Sequence, residues 1–159
     1  MAKKNYDESA IQTLSPLEHI RKRTGMYIGR TGNGSDYNDG VYVLVKEVLD
    51  NAIDEFISGY GKSINIKIDE NKVTIRDYGR GIPLGKVIDC VSQINTGGKF
   101  NDDVFQFSVG MNGVGTKAVN ALSTYFKVRS TRDGEFFEAI FKEGVLQSQN
   151  KGTSTERNG

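Results

Sequence analysis

The chain has 159 residues, 36% hydrophobic and 26% charged, with Lys+Arg 21 against Asp+Glu 20 and a net charge of +1. This is room for one domain with a single core, and the balance excludes disordered and collagen-like classes and any overall basic field for gripping nucleic acid. One cysteine, Cys90, leaves no internal disulfide, one histidine, His19, leaves no Cys/His cluster for zinc, and no apolar run approaches the ~20 residues of a membrane span, so a cytoplasmic protein without membrane contact is expected.

Residues 1–14 are polar with scattered Tyr6, Ile11 and Leu14, an arm without its own core. Ser15-Pro16-Leu17-Glu18 reads as a helix start, with Ser at the N-cap, Pro in the first turn and an acid at the positive end; this short helix ends near Gly25. The basic run Arg21-Lys22-Arg23 falls on it, and a solvated helix end accounts for it most simply. Thr31 to Gly40, rich in Gly, Asn and Asp, is a surface loop.

A long helix follows. Val41, Leu44, Val45, Val48, Leu49, Ala52, Ile53, Phe56 and Ile57 keep the three-and-four spacing of a buried stripe, and Gly59 and Gly61 mark its end. Residues 63–68 and 73–77 alternate around Glu70-Asn71 as a hairpin, and Leu84 to Ile94 form a modest helix. The stretch from Thr96 is polar and glycine-bearing at its start; Gly110 to Gly115 then opens a helix over Thr116 to Leu122. Tyr125 to Thr131 and Glu135 to Phe141 alternate around Asp133-Gly134, a second hairpin. Gln147 to Gly159 has no apolar pattern and reads as a loop.

Three features carry chemistry. On the long helix Glu47, Asn51 and Glu55 recur every four residues and so share a side, which a solvated polar face explains equally well. Asp77-Tyr78-Gly79-Arg80-Gly81-Ile82-Pro83 closes the first hairpin: its glycines permit close backbone approach and an acid at a strand end can accept hydrogen bonds, although an ordinary turn would look the same. Gly110, Gly113 and Gly115 precede a helix whose first-turn N–H groups suit a phosphate, or form a glycine loop with no ligand. The spacing differs from the dinucleotide fingerprint, and Gly98-Lys99-Phe100 lacks the rest of a P-loop.

The order of these signals, Glu-x-x-x-Asn, then Asp-x-Gly-x-Gly, then Gly-x-x-Gly-x-Gly, resembles the GHKL ATPase family of gyrase, heat-shock chaperones, histidine kinases and MutL-type repair proteins. Within it, residues 21–29 (RKRTGMYIG), 47–55 (EVLDNAIDE) and 96–100 (TGGKF) look like the B-type subunit of type IIA DNA topoisomerases from bacteria, and 109–117 (VGMNGVGTK) looks closer to the topoisomerase IV branch than to gyrase. The resemblance runs from about Tyr6 to the end.

It implies an α/β sandwich with a mixed, largely antiparallel sheet and helices on one face, residues 1–14 as an arm and 15–159 as an ATP-binding domain stopping before its last strands. By the same similarity Glu47 is the general base for the water attacking the γ-phosphate, and Asn51 holds Mg²⁺. Asp77 accepts the adenine amino group, and Arg80 pairs with Glu55 near the base. Gly81, Ile82, Pro83 and Ile94 line the adenine pocket. Lys99 and the backbone of Val109, Gly110, Met111, Asn112, Gly113, Val114 and Gly115 surround the phosphates within a lid from Leu84 to Val114. Tyr6 and Ile11 reach toward a second copy of the chain in an ATP-dependent homodimer, with Tyr27 contributing to closure, and Asp77, Arg80 and Arg132 contact ATP-site inhibitors. The partners so implied are an A-type subunit and DNA. Thr24 departs from a family proline, Asn112 from a histidine frequent in gyrases, and Gly152-Thr153 lies in a polar run where the family has a Gly-Thr pair on a strand. Two other readings remain: another ATPase of the family, which the presence of a metal-binding TOPRIM domain and a DNA-facing partner would exclude, and a non-catalytic nucleotide-gated dimerisation module, which an ATPase assay would separate.

Overall fold

Ser15 and Glu18 form a reciprocal cap, the Ser15 N–H donating to Glu18 Oε2 at 2.8 Å and the Glu18 N–H to Ser15 Oγ at 3.4 Å, and this starts α1, Pro16–Lys22. The structure, a computed structural model, describes residues 7–98, 109 and 113–159, so the expectations for Tyr6, Lys99, Gly110, Met111 and Asn112 lie outside the described residues. Gly25 opens a second, four-residue helix, α2 (Gly25–Ile28), instead of ending the region. The Arg21 guanidinium caps the far end of another helix by donating to the Ala121 carbonyl at 2.8 Å and pairs with Glu143 at 3.2 Å, a structural use of the basic run.

The long helix α3 spans Gly40–Ile57. Its N-cap, Asp39, is buried, accepts the Gly34 N–H at 3.0 Å and pairs with Arg30 at 3.1 Å, which ties the preceding loop to the helix. The apolar stripe is only partly covered: Leu44 packs on the core, whereas Val41, Phe56 and Ile57 are exposed, and the most deeply buried positions include Asp50, Ala52 and Asp54. The expectation of a wholly buried stripe is corrected here; in this helix acids occupy buried sites that a hydrophobic pattern assigns to apolar residues.

Strands β1 (Ile64–Asp69) and β2 (Lys72–Asp77) form an antiparallel hairpin. After a 3₁₀ turn at Leu84–Lys86 come α4 (Val87–Ser92) and then α5 (Gly115–Leu122). The small residues Ala118 and Ala121 let α5 pack closely on Ile20 of α1, with Leu17, Tyr27 and Leu44 closing that core.

Strands β3 (Phe126–Arg132), β4 (Glu135–Lys142) and β5 (Val145–Thr153) form a three-stranded antiparallel sheet, in that order. The register places Phe126 opposite Phe141, Val128 opposite Ala139 and Ser130 opposite Phe137, one face by the two-residue repeat; its apolar members pack with Val91 and Ile88 of α4. The other face is ionic, with Lys127 and Arg129 on Glu138 at 2.7 and 3.6 Å and the Arg129 guanidinium 4.1 Å over the Phe136 ring. The turns carry positive φ at Asp133 and Gly134 (53° and 85°) and again at Glu143 and Gly144 (52° and 84°), the pairing that two-residue hairpins need. All strand pairs among the described residues are antiparallel, with helices packed on one face of the larger sheet.

The polar run expected as a loop is instead β5. Every one of its nine residues is exposed, because it is the outer strand among the described residues, so neither face needs apolar side chains and no alternation betrays it. Gly152 lies opposite Phe136 on this strand, away from the pocket described next.

Candidate functional site

A cavity of about 570 Å³ opens between α3, α5, the end of β2 and β3, within the size range of small-molecule sites. Glu47, Val48, Asn51, Ala52 and Glu55 line it from α3, a single helical face by the four-residue repeat. Ile75, Ile82, Val91 and Val128 make its apolar wall, and Asp77, Arg80 and Arg132 add polar groups.

At one end, Arg80 is locked. Its guanidinium donates to both Glu55 oxygens, Nε to Oε2 at 3.1 Å and an NH2 group to Oε1 at 2.8 Å, while the Arg80 backbone N–H reaches Oε2 at 2.8 Å. These bonds raise the Arg80 pKa above the usual arginine value, with burial opposing. The same guanidinium stacks 4.2 Å over the Tyr60 ring. Gly79 makes the approach possible: a Cβ there would come within 2.7 Å of the Glu55 carboxylate and 2.8 Å of its stem. Gly81, at φ +73°, lies against the Thr131 carbonyl and the Ser130 hydroxyl, where a Cβ would sit 2.7 and 2.9 Å away. Asp77 ends β2 and accepts the Gly79 N–H at 2.8 Å.

At the other end, the Glu47 carboxylate occupies the space beside Gly115 that a Cβ would fill. One turn on, Asn51 donates from Nδ2 to the Glu47 carbonyl at 2.7 Å and to Thr116 Oγ1 at 3.0 Å. The start of α5, with its outward N–H groups and positive dipole end, is thereby fixed against the acidic and amide face of α3. Lys117, 4% exposed, donates from Nζ to the Thr96 carbonyl at 2.7 Å and also lines the cavity.

Glu47, Asn51, Asp77, Arg80, Gly81, Ile82, Pro83, Gly113, Gly115 and Arg132 are thus brought together around one cavity. Three further residues, Ile94 expected by its side chain and Val114 and Val109 by their backbone, are outside the lining. Ile94 is 39% exposed and outside the lining, Val114 turns into the core against Ile20, and Val109 is half exposed, its N–H donated to Asp54 Oδ1 at 2.6 Å. Ile11 is exposed on the arm. Sequence reasoning missed Thr116, Lys117, Cys90 and Gly159. Thr116 and Lys117 sit in the first turn after the glycines, which was the available signal; Cys90 and Gly159 carried none. Gly159 reaches the cavity by pairing both of its main-chain groups with Thr131, at 2.8 and 3.1 Å.

The profile described as "Histidine kinase-, DNA gyrase B-, and HSP90-like ATPase" matches residues 36–155. The chain belongs to that ATPase family. It is 65% identical over its whole length to the B-type subunit of DNA topoisomerase 4 from Borreliella burgdorferi, covering 26% of that protein, and 40% identical over 150 residues to DNA gyrase B of Enterococcus faecalis, covering 89% of this chain and 23% of the relative. In structure it is similar to the 43K ATPase domain of Thermus thermophilus gyrase B, solved with an aminocoumarin, at a TM-score of 0.71 and 30% identity over 89% of this chain and 36% of the other. The chain therefore spans about a quarter of the length of these curated relatives.

Proposed function

We propose that this chain is the ATP-binding and hydrolysing domain of the B-type subunit of a type IIA DNA topoisomerase, of the topoisomerase IV rather than the gyrase kind. The observation that carries the catalytic reading is the Glu47 carboxylate set against Gly115 at the start of α5. Phosphoryl transfer asks chiefly for positioning and charge neutralisation, and both components face each other there. The adenine end lies at Asp77, whose carboxylate has acceptor capacity beyond the Gly79 N–H and selects an amino group over the carbonyl that guanine presents. Locked on Glu55 and Tyr60, Arg80 offers a fixed rather than a mobile cation beside that end.

The triphosphate lies toward Gly113, Gly115 and the α5 N–H groups, where Glu47 orients the attacking water and takes its proton. Mg²⁺ fits this arrangement: the Asn51 side chain, held by the Glu47 carbonyl and Thr116 through its amide nitrogen, carries a hard oxygen donor of the kind this ion takes. Among the described residues no three His, Cys, Asp or Glu side chains cluster as a metal cage, as suits an ion held largely by phosphate and water. When bound, it neutralises phosphate charge.

On this reading residues 15–159 are the ATP-binding domain and 1–14, with Tyr6 and Ile11, the arm of an ATP-dependent homodimer. DNA and an A-type subunit are the partners of the intact protein, and ATP-site inhibitors compete at Asp77, Arg80 and Arg132. No helix among the described residues is long and apolar enough to cross a membrane, and a cytoplasmic location follows from the proposed work on DNA. The test is steady-state ATP hydrolysis and DNA relaxation by the intact protein with its A-type partner. ATP-dependent relaxation supports the reading, whereas nucleotide binding without turnover replaces it with a nucleotide-gated module.

A further inference from the structure

Beyond Ile57 and its C-cap Ser58, α3 is closed by Gly59, whose φ of +86° lies in the left-handed region that glycine reaches without strain. The Gly59 N–H donates to the Phe56 carbonyl at 2.9 Å and the Tyr60 N–H to the Glu55 carbonyl at 2.8 Å, the paired closure of a Schellman helix end, which folds the residue after the glycine back over the last turn. Here that residue is Tyr60, and the turn it returns to carries Glu55. One helix end therefore delivers both groups that hold Arg80: the carboxylate along the edge of the guanidinium, at 2.8 and 3.1 Å, and the ring against its face, at 4.2 Å. The two contacts restrain different motions. A bidentate pair fixes the N–H directions within the guanidinium plane but tolerates rocking about the line through its two bonds, because a hydrogen bond keeps most of its strength over a range of angles. A ring stacked on the face opposes that rocking. Glu55 is the first cause of the raised Arg80 pKa and Tyr60 a lesser one, so the carboxylate sets the charge and the ring sets the tilt. Arg80 lines the nucleotide cavity and Tyr60 does not; Tyr60 lines a second, smaller hollow of about 160 Å³ that shares Ala52 and Asp77 with the first.

We infer that Tyr60 is a positioning residue for the adenine end of the site: acting through Arg80, it fixes the tilt of the guanidinium that borders the base. This deepens the ATP-binding reading above and rests on it. A cation held at one tilt before the ligand arrives need not be ordered by the ligand, and that saving appears as affinity. Hydrolysis once ATP is bound depends on Glu47 at the other end of the cavity and should be indifferent to Tyr60.

The test uses the intact protein with Tyr60→Leu, which keeps apolar bulk without an aromatic face, and Tyr60→Phe, which keeps the face without the hydroxyl. At 46% exposure Tyr60 is not a core residue, so both variants should fold. Calorimetry reads affinity for a non-hydrolysable ATP analogue, and steady-state assays read kcat at saturating ATP. Tyr60→Leu is expected to weaken the analogue about fivefold or more, with kcat within twofold of wild type, and Tyr60→Phe to bring the affinity back to within about twofold. An unchanged affinity in Tyr60→Leu, or equal losses in Leu and Phe, overturns the inference. So does a fall in kcat as large as the loss of affinity, the mark of a general disturbance of the fold. Wild-type protein that does not bind the analogue overturns the ATP-binding reading and this inference with it.

Discussion

Replacing Gly115 by Ala separates folding from catalysis at a single atom. Gly115 is the first residue of α5, and its backbone suits any L-residue, so Ala should stabilise the helix by about 0.5–1 kcal/mol through a less flexible unfolded chain. Against this, the new methyl would stand 2.7 Å from the Glu47 Cδ and 3.0 Å from its Cβ, and closer still to one carboxylate oxygen. Glu47 is half-buried and can swing away, at the ~0.5–1.5 kcal/mol that an off-rotamer side chain costs. The two terms nearly cancel, so the unfolding midpoint should move by less than about 4 °C, the shift that ~1 kcal/mol produces in a domain of this size. Catalysis has no such compensation. A general base contributes ~10²–10⁴ in rate, and moving it by the width of a methyl group should lower kcat of the intact protein by ~10²-fold while the ATP analogue still binds. Steady-state ATPase assays beside thermal denaturation read both quantities. Turnover within threefold of wild type would show that Glu47 need not lie at the start of α5, and would refute the catalytic geometry.

The remaining expectations concern the two ends of the cavity. Glu47→Ala should cut ATP hydrolysis ~10²-fold or more with analogue binding retained, and near-normal turnover would exclude Glu47 as the base. Asp77→Ala should weaken ATP and ATP-site inhibitors by ~1.5–3 kcal/mol, the worth of a hydrogen bond to a charged group; unchanged calorimetric affinity would move the adenine elsewhere. Gly79→Ala places a methyl against the half-buried Glu55–Arg80 pair and should cost ~1–3 kcal/mol of stability, seen as a lowered thermal midpoint; an unchanged midpoint would mean that Glu55 has another place to go. Burial raises the Cys90 thiol above its ordinary pKa, with Lys117 opposing, so little thiolate exists at neutral pH and its fraction grows only well into the alkaline range. Iodoacetamide should accordingly label Cys90 slowly at pH 7 and faster as pH rises, and the ATP analogue should slow labelling at least tenfold if it fills the cavity that Cys90 lines.

Elements with strong local periodicity or turn chemistry were legible. The α3 pattern over Val41 to Ile57 and the Asp133-Gly134 turn gave their elements within a residue or two, because apolar spacing and positive φ are written locally. The polar face of α3 was legible only in combination: Glu47, Asn51 and Glu55 suit a solvated surface, and it is their order with the later glycine motifs that distinguishes a site. What was not legible has a common cause, since it depended on neighbours distant in sequence. The resemblance placed Ile94 beside the adenine and the backbone of Val114 beside the phosphates; the Ile94 side chain is exposed outside the cavity lining, and the Val114 side chain packs into the α1–α5 core. Asp54 and Lys117 run against every burial rule until their carbonyl and amide partners are known. Glu143-Gly144 carried a turn signal like that of Asp133-Gly134, but beyond Val145 and Leu146 the strand that follows is polar and shows no alternation to make the turn credible.

The composition that concealed β5 also has a colloidal consequence. The outermost strand among the described residues, nine exposed residues long, presents backbone donors and acceptors along its outer edge, a template on which another extended chain can add itself. From Gln147 to Lys151 it carries Gln, Ser, Gln, Asn and Lys, so over that stretch a docking strand would bury no apolar surface and would have to desolvate an amine. Exchanging Gln147 and Gln149 for valine would remove that deterrent without touching the cavity, and such a protein should stay folded but sediment as aggregates at concentrations where the parent remains dispersed.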